Sequence, residues 1–218
     1  MKKQLKKIAE PAQSPRFEKG LHPKNLHKRG YDFAALSLTS PHLTSYLRVN
    51  AHQNVSIDFA DPAAVKALNS ALLQHHYGIA GWDIPKGFLC PPIPGRVDYL
   101  HYVADLLAVR AQQDTPVRLL DVGTGANGVY ALLAIKVYGW QCTASDIDPL
   151  AIENVAHVAQ ANPEVLASLD LRLQTDRSHI FEGIIRAGEH YDVSVCNPPF
   201  HASQEEAMKG SQRKLDQL

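Results

Sequence analysis

The rhythm of apolar and polar positions changes near residue 117. Beyond that point short apolar runs alternate with longer amphipathic stretches. The runs Val117–Asp121, Gln141–Asp146, Leu169–Leu173 and Tyr191–Cys196 read as strands. Between them, helices are expected over Ala126–Tyr138, from a cap at Asp148-Pro149 to about Gln160, and over a short piece at Ile180–Arg186. Strand and helix in strict alternation imply crossover connections and a parallel sheet, so the fold class is α/β. Before residue 117 the pattern is mainly helical. Residues 21–50 break into short helical pieces punctuated by Pro41, and Val55–Phe59 alternates like a short strand. Asp61 caps a helix with Pro62 in its first position, and Gly78 stops it after Tyr77. A loop rich in Pro and Gly, Gly81–Pro94, leads into a helix that opens near Arg96.

The formal net charge of zero hides an asymmetry. Residues 1–30 carry nine lysines and arginines against two glutamates, so the rest of the chain is correspondingly acidic. A basic arm on a neutral body suits a polyanion, most often nucleic acid. Three regions follow: a flexible basic arm at 1–20, an RNA-binding, mainly helical extension at 21–95, and a Rossmann-like core at 96–218. Three scattered cysteines, Cys90, Cys142 and Cys196, point to reduced thiols and a cytoplasmic location, with no metal-ligand spacing. No apolar stretch is long enough for a membrane span, and no apolar segment follows the N-terminal lysines as a leader requires.

Two motifs carry chemistry. Gly123-Thr124-Gly125-Ala126-Asn127-Gly128 satisfies the G-x-G-x-x-G pattern, and Asp146 follows at the distance a dinucleotide site asks. A nicotinamide cofactor is therefore one reading. S-adenosylmethionine (SAM) is the other, and two features favour it. Asp121 ends the first strand of the core, where a carboxylate meets a cationic amino group but repels a pyrophosphate. The fourth strand runs into Asn197-Pro198-Pro199-Phe200, for which a dehydrogenase has no evident use. An exocyclic amine is a poor nucleophile because its lone pair is delocalised. The Asn197 side-chain oxygen and the Pro198 carbonyl can accept its two hydrogens and turn the lone pair toward a methyl donor. Phe200 offers a face for a flat base. In this reading Gly123 and Gly125 let the backbone approach the methionine moiety. Asp146 accepts the ribose hydroxyls, and Asp176 stands where the adenine amino group is met.

The glycine loop, the acidic strand end and Asn197-Pro198-Pro199-Phe200, in this order, resemble the class I SAM-dependent methyltransferases. Further segments narrow the resemblance: His22-Pro23-Lys24-Asn25, Tyr31-Asp32-Phe33, Asp58-Phe59-Ala60-Asp61-Pro62 and the run from Cys90 to Tyr99. Together they resemble the bacterial 23S ribosomal RNA adenine-N6 methyltransferase F family, whose eukaryotic relative is the methyltransferase-like sixteen enzyme. The resemblance implies N6-methylation of one adenosine, the family target being adenine 1618, without a metal. The implied partner is 23S rRNA or a large-subunit assembly intermediate. The resemblance also implies that Arg96 pairs with the methionine carboxylate of SAM, and that Lys24, Asn25, Lys28 and Arg29 grip RNA. Phe200 would then hold an unstacked adenine. The complete sheet of that class has more strands than the four found here, and its strand order leaves the fourth as an exposed edge. The chain is therefore expected to be a truncated or proteolysed piece. Rival functions are methylation of a protein glutamine amide or of DNA adenine, and a non-catalytic RNA-binding factor on the same fold.

Overall fold

The structure, a computed structural model, describes residues 20–50, 52–108 and 115–198. The basic arm lies outside those residues, as do Pro199 and Phe200. Local chemistry sets the N-terminal pieces. Asn25 caps a 3-10 helix, Leu26–Arg29, and Asp32 caps helix α1, Phe33–Thr39, by accepting from the Ala35 N–H. A second 3-10 helix, Pro41–Tyr46, leads into a two-residue hairpin of β1, Arg48–Val49, and β2, Val55–Ser56. Helix α2, Pro62–Tyr77, starts at the Asp61 cap and ends at Gly78 in the left-handed region, as the sequence predicts. Helix α3, Ile93–Ala108, begins three residues earlier than Arg96 and so straddles the expected 95/96 boundary.

The α/β part follows as β3 (Arg118–Val122), α4 (Val129–Tyr138), β4 (Gln141–Asp146), α5 (Pro149–Gln160), α6 (Pro163–Ser168), β5 (Leu169–Leu173) and β6 (Val193–Cys196). The sheet order is β5-β4-β3-β6, and every pairing is parallel. Parallel strands are buried on both faces, which accounts for the fully buried Leu119, Leu120, Ala144 and Val195. Helix α4 lies between the sheet and the N-terminal helices. Each residue from Val129 to Ile135 is buried, and the helix packs on β3, β4, α2 and α3. One hydrophobic cluster joins Leu36, Leu43 and Leu72 of the extension to Leu132 and Leu133 of α4. The extension and the sheet thus share a core.

Two expectations need correction. The helix expected over Ile180–Arg186 is a run of turns. Its carbonyls are drawn elsewhere: Ile184 O accepts from buried Arg172, and Glu182 O accepts from Gln174 Nε2 at 2.8 Å. In a helix Glu182 O would accept from the Arg186 N–H, which instead donates to Glu189 Oε2 at 2.8 Å, and Gly183 has φ 80°, outside the helical region. Conversely, α6 falls where no helix was expected. Asn162, just before it, ties Ala80 by two hydrogen bonds of 2.8 Å, so tertiary contacts fix this corner.

Helix α4 starts at Val129 rather than Ala126 because Gly125 and Gly128 have φ of 64° and 58°. Gly128 also faces α5 closely. A Cβ built there would stand 2.9 Å from Val155 Cγ1. Gly139, at the other end of α4, has φ 67° but open space around it. Gly128→Ala is expected to cost about 2–4 kcal/mol, from backbone strain plus overpacking, and Gly139→Ala only about 1–2 kcal/mol from strain. Denaturant unfolding of both variants checks the difference; equal losses would show that the Val155 contact is relieved at no cost.

Candidate active site

The parallel register brings the candidate residues to one edge of the sheet. Asp121 pairs with Ala144 on one side and Val195 on the other, and Val122 pairs with Cys196. Asp121, the glycine loop, Asp146 and Asn197 therefore all lie at the carboxyl ends of neighbouring strands. That is where open α/β sheets bind ligands.

The glycine loop is held from several sides. The N–H groups of Gly123 and Thr124 both donate to Ser145 O at 2.9 Å, and Gly125 N–H donates to Asp146 Oδ2 at 2.8 Å. The other oxygen of Asp146 accepts from Asp148 N–H at 2.9 Å. From outside, Trp82 Nε1 donates to Asn127 O at 2.9 Å and Asn154 Nδ2 to Ala126 O at 2.7 Å. Neither Trp82 nor Asn154 was flagged by the sequence. Both are distant in the chain, and no spacing rule connects them to the loop.

Asp121 is 1% exposed, and neither carboxylate oxygen has a hydrogen-bond partner. Thr124 Oγ1 beside it is also buried and unpartnered. Burial pushes the Asp121 carboxyl up to about 7; the Thr124 hydroxyl and the Ala131 N–H, the donors nearest to it, hold it down in part, and the Asp146 carboxylate adds to the rise. An ionised carboxylate is costly in such a place, which is why its proton is held more tightly.

A cation without a carboxylate partner contacts Asn197. Arg96, on the first turn of α3, donates from Nη1 to Tyr130 Oη at 3.0 Å and to Asn197 Oδ1 at 3.1 Å. Its guanidinium carbon lies 5.4 Å from the centre of the Tyr130 ring. Among the described residues it has no ion pair within 4 Å. Tyr130, on the first turn of α4, is a site residue that sequence reasoning missed; an aromatic beside a glycine loop reads simply as core.

The remaining candidates make contacts of their own. Asp176 accepts from Ser178 N–H at 2.9 Å and from Ser178 Oγ at 2.6 Å, and these bonds hold its carboxyl below the ordinary range. Lys24 pairs with Asp105 at 2.9 Å on an exposed surface. Asn25 is 3% exposed. Its amide donates to Pro94 O and to Asp98 Oδ1, and its oxygen accepts from His27 N–H. It pins the N-terminal segment to the start of α3 rather than presenting a surface group. Arg29 is exposed and lines an open groove of about 920 Å³ with Tyr31, Phe33, Leu47 and Val55. Pro198 is exposed beside Asn197, whereas Phe200 lies outside the described residues. Among the described residues no group of three acidic, histidine or cysteine side chains could hold a metal ion, and no helix is long and apolar enough to cross a membrane.

A family model described as RNA methyltransferase matches residues 16–218. The chain is 58% identical over 206 residues to the ribosomal RNA large subunit methyltransferase F of Shewanella frigidimarina, covering 94% of this chain and 57% of the relative. The chain thus spans a little over half the length of the curated relatives it matches. The N-terminal domain of human METTL16 in complex with SAH superposes with a TM-score of 0.75 at 28% identity, covering 90% of this chain and 78% of that one. The METTL16 catalytic domain in complex with MAT2A 3′UTR hairpin 1 gives a TM-score of 0.75 at 30% identity, covering 88% and 63%.

The state of Asp121 has a measurable consequence. Its folded-state value near 7 lies above the ordinary carboxylate range, so the folded chain keeps a proton that the unfolded chain releases. The resulting stability is complete below about pH 4 and is lost as pH rises through about 7. Thermal unfolding should therefore show Asp121→Asn losing less stability than the parent chain across that window. Parallel pH profiles for the two proteins would mean that Asp121 is not held protonated.

Proposed function

Because the chain belongs to the RNA methyltransferase family and has the class I SAM-dependent methyltransferase fold, we propose that it serves N6-methylation of an adenosine in large-subunit ribosomal RNA, with SAM as donor. The single observation that carries this reading is the pair of complementary charges at the strand ends. A buried carboxylate without a partner, Asp121, and a half-buried guanidinium with only neutral partners, Arg96, match the ammonium and carboxylate of an amino acid. SAM ends in such a zwitterion. A dinucleotide pyrophosphate would be repelled by Asp121.

When bound, SAM supplies an electrophilic methyl group that passes to N6 of adenine as its carbon–sulfur bond breaks. Asp121 binds the ammonium and Arg96 the carboxylate. Gly123 and Gly125 give room for the methionine chain, while Asp146 has lone pairs left for the ribose hydroxyls beyond its two backbone bonds. Asp176 is the proposed partner of the cofactor's adenine. Asn197 Oδ1 and the Pro198 carbonyl accept the N6 hydrogens, and Phe200 stacks on the base. The amine proton leaves to solvent once N6 carries the positive charge.

RNA as the substrate follows from the relatives' names and from the charge of the arm. Among the described residues, Lys24, Lys28 and Arg29 are the proposed contacts next to it. Asn25 orders this segment rather than touching RNA. A 23S rRNA substrate, adenine 1618 as the target, a ribosomal assembly intermediate as a partner and a cytoplasmic location belong to the same proposal. So does the division into the arm at 1–20, the RNA-binding extension at 21–95 and the SAM-binding core from 96 onward.

The test is transfer from methyl-tritiated SAM to unmodified large-subunit rRNA, run beside the full-length Shewanella frigidimarina relative. Label recovered as N6-methyladenosine is expected; label recovered only in protein or DNA would contradict the substrate class. Asn197→Ala should lower transfer by at least roughly 100-fold without loss of SAM affinity. Turnover preserved in that variant would remove Asn197 from the mechanism. Deleting residues 1–19 should weaken RNA binding and flatten its salt dependence, since each lost lysine or arginine removes about one phosphate contact from the salt slope. An unchanged slope would place the RNA footprint elsewhere.

A further inference from the structure

Arg96 spends one nitrogen on two neutral acceptors. Nη1 lies 3.0 Å from Tyr130 Oη and 3.1 Å from Asn197 Oδ1, with the guanidinium carbon 5.4 Å from the Tyr130 ring centre. Under the proposed function, two demands fall on this trio. The cofactor carboxylate needs Arg96, and the adenine amine needs Asn197 Oδ1. The two needs conflict while Arg96 and Asn197 are bonded to each other. An oxygen already accepting from a cation has its electron density drawn away and is the weaker acceptor for a second donor. A guanidinium shared with an amide is likewise less available to a carboxylate.

Tyr130 is placed to resolve the conflict. It is buried on the first turn of α4, a helix enclosed by the sheet and by α2 and α3, so its ring and hydroxyl are fixed. The ring supports the guanidinium through its π face while the hydroxyl accepts from Nη1. That grip is independent of the second acceptor. We propose that Tyr130 is a positioning residue that holds Arg96 between two alternative acceptors, Asn197 and the cofactor carboxylate. Engagement of the carboxylate then releases Asn197 Oδ1 to the adenine amine. This rests on the proposed function and adds a coupling to it. Cofactor and target base favour each other's binding, and the linkage is reciprocal.

The test is calorimetric binding to the 218-residue chain, compared among the parent, Tyr130→Phe and Asn197→Ala. The probes are S-adenosylhomocysteine and 5′-methylthioadenosine, a thioether nucleoside that lacks the amino-acid carboxylate. Tyr130→Phe keeps the ring and deletes only the hydroxyl. It should weaken S-adenosylhomocysteine by about fivefold and leave methylthioadenosine unchanged, because one hydrogen bond to a charged group is lost. Asn197→Ala removes the competing acceptor and should tighten S-adenosylhomocysteine by about threefold, again sparing methylthioadenosine. Equal losses for both probes in Tyr130→Phe, or no loss for either, would overturn the pivot. Unchanged or weaker S-adenosylhomocysteine binding in Asn197→Ala would overturn the exchange of acceptors. A parent chain that binds neither probe would instead remove the proposed function on which the pivot rests.

Discussion

A buried carboxylate that nothing in the described structure neutralises is the constraint around which the rest is arranged. Asp121 is the penultimate residue of β3, an interior strand of the sheet, and is 1% exposed, so it does not turn out to solvent. A lone carboxylate in such a place raises its proton affinity or waits for a cation. The glycine loop that follows brings the buried Thr124 side chain beside it. Trp82 and Asn154 brace that loop from the far side, and Asp146 ties it to β4. The same sheet edge therefore holds a buried carboxyl beside a braced loop, and the Asn197 that follows β6 at that edge is bonded to the Arg96 guanidinium.

That guanidinium links the two halves of the molecule. Arg96 belongs to α3, and the start of α3 is where Asn25 pins the N-terminal segment through Pro94 and Asp98. Tyr130 belongs to α4, which is packed between the sheet and the extension. Asn197 follows β6, the strand beside β3. Arg96, the proposed partner of the cofactor carboxylate, Asn197, the proposed acceptor for the base, and the scaffold of the proposed RNA-binding extension are thus one or two contacts apart. The hydrophobic core is continuous from Leu36 of the extension to Leu133 of α4, so the extension and the sheet are packed as one body.

Much of this was legible in the chain because the signals are local. The caps at Asp61 and Asp148, the stop at Gly78 and the four strands are set by short-range chemistry, and the structure places them where the pattern does. Asp121, the glycine loop, Asp146 and Asn197 come together because a parallel register lines up strand ends. What the sequence could not show depends on distant partners. The segment 180–186 has a helical composition, yet Arg172 and Gln174 claim its carbonyls. Asn25 sits in a basic stretch and reads as a surface contact, yet it is buried as a cap and a tether. Tyr130 looks like any core aromatic until Arg96 is seen to rest on it.

The most direct test of the central claim is to titrate SAM calorimetrically into the chain on either side of about pH 7, in buffers of different ionisation enthalpy, with Asp121→Asn alongside. If Asp121 receives the ammonium group, SAM binding releases a proton on the acid side of that value, and affinity rises toward the alkaline side. Both effects should vanish in Asp121→Asn, which should also bind weakly. Affinity that ignores pH and survives Asp121→Asn unchanged would contradict the account.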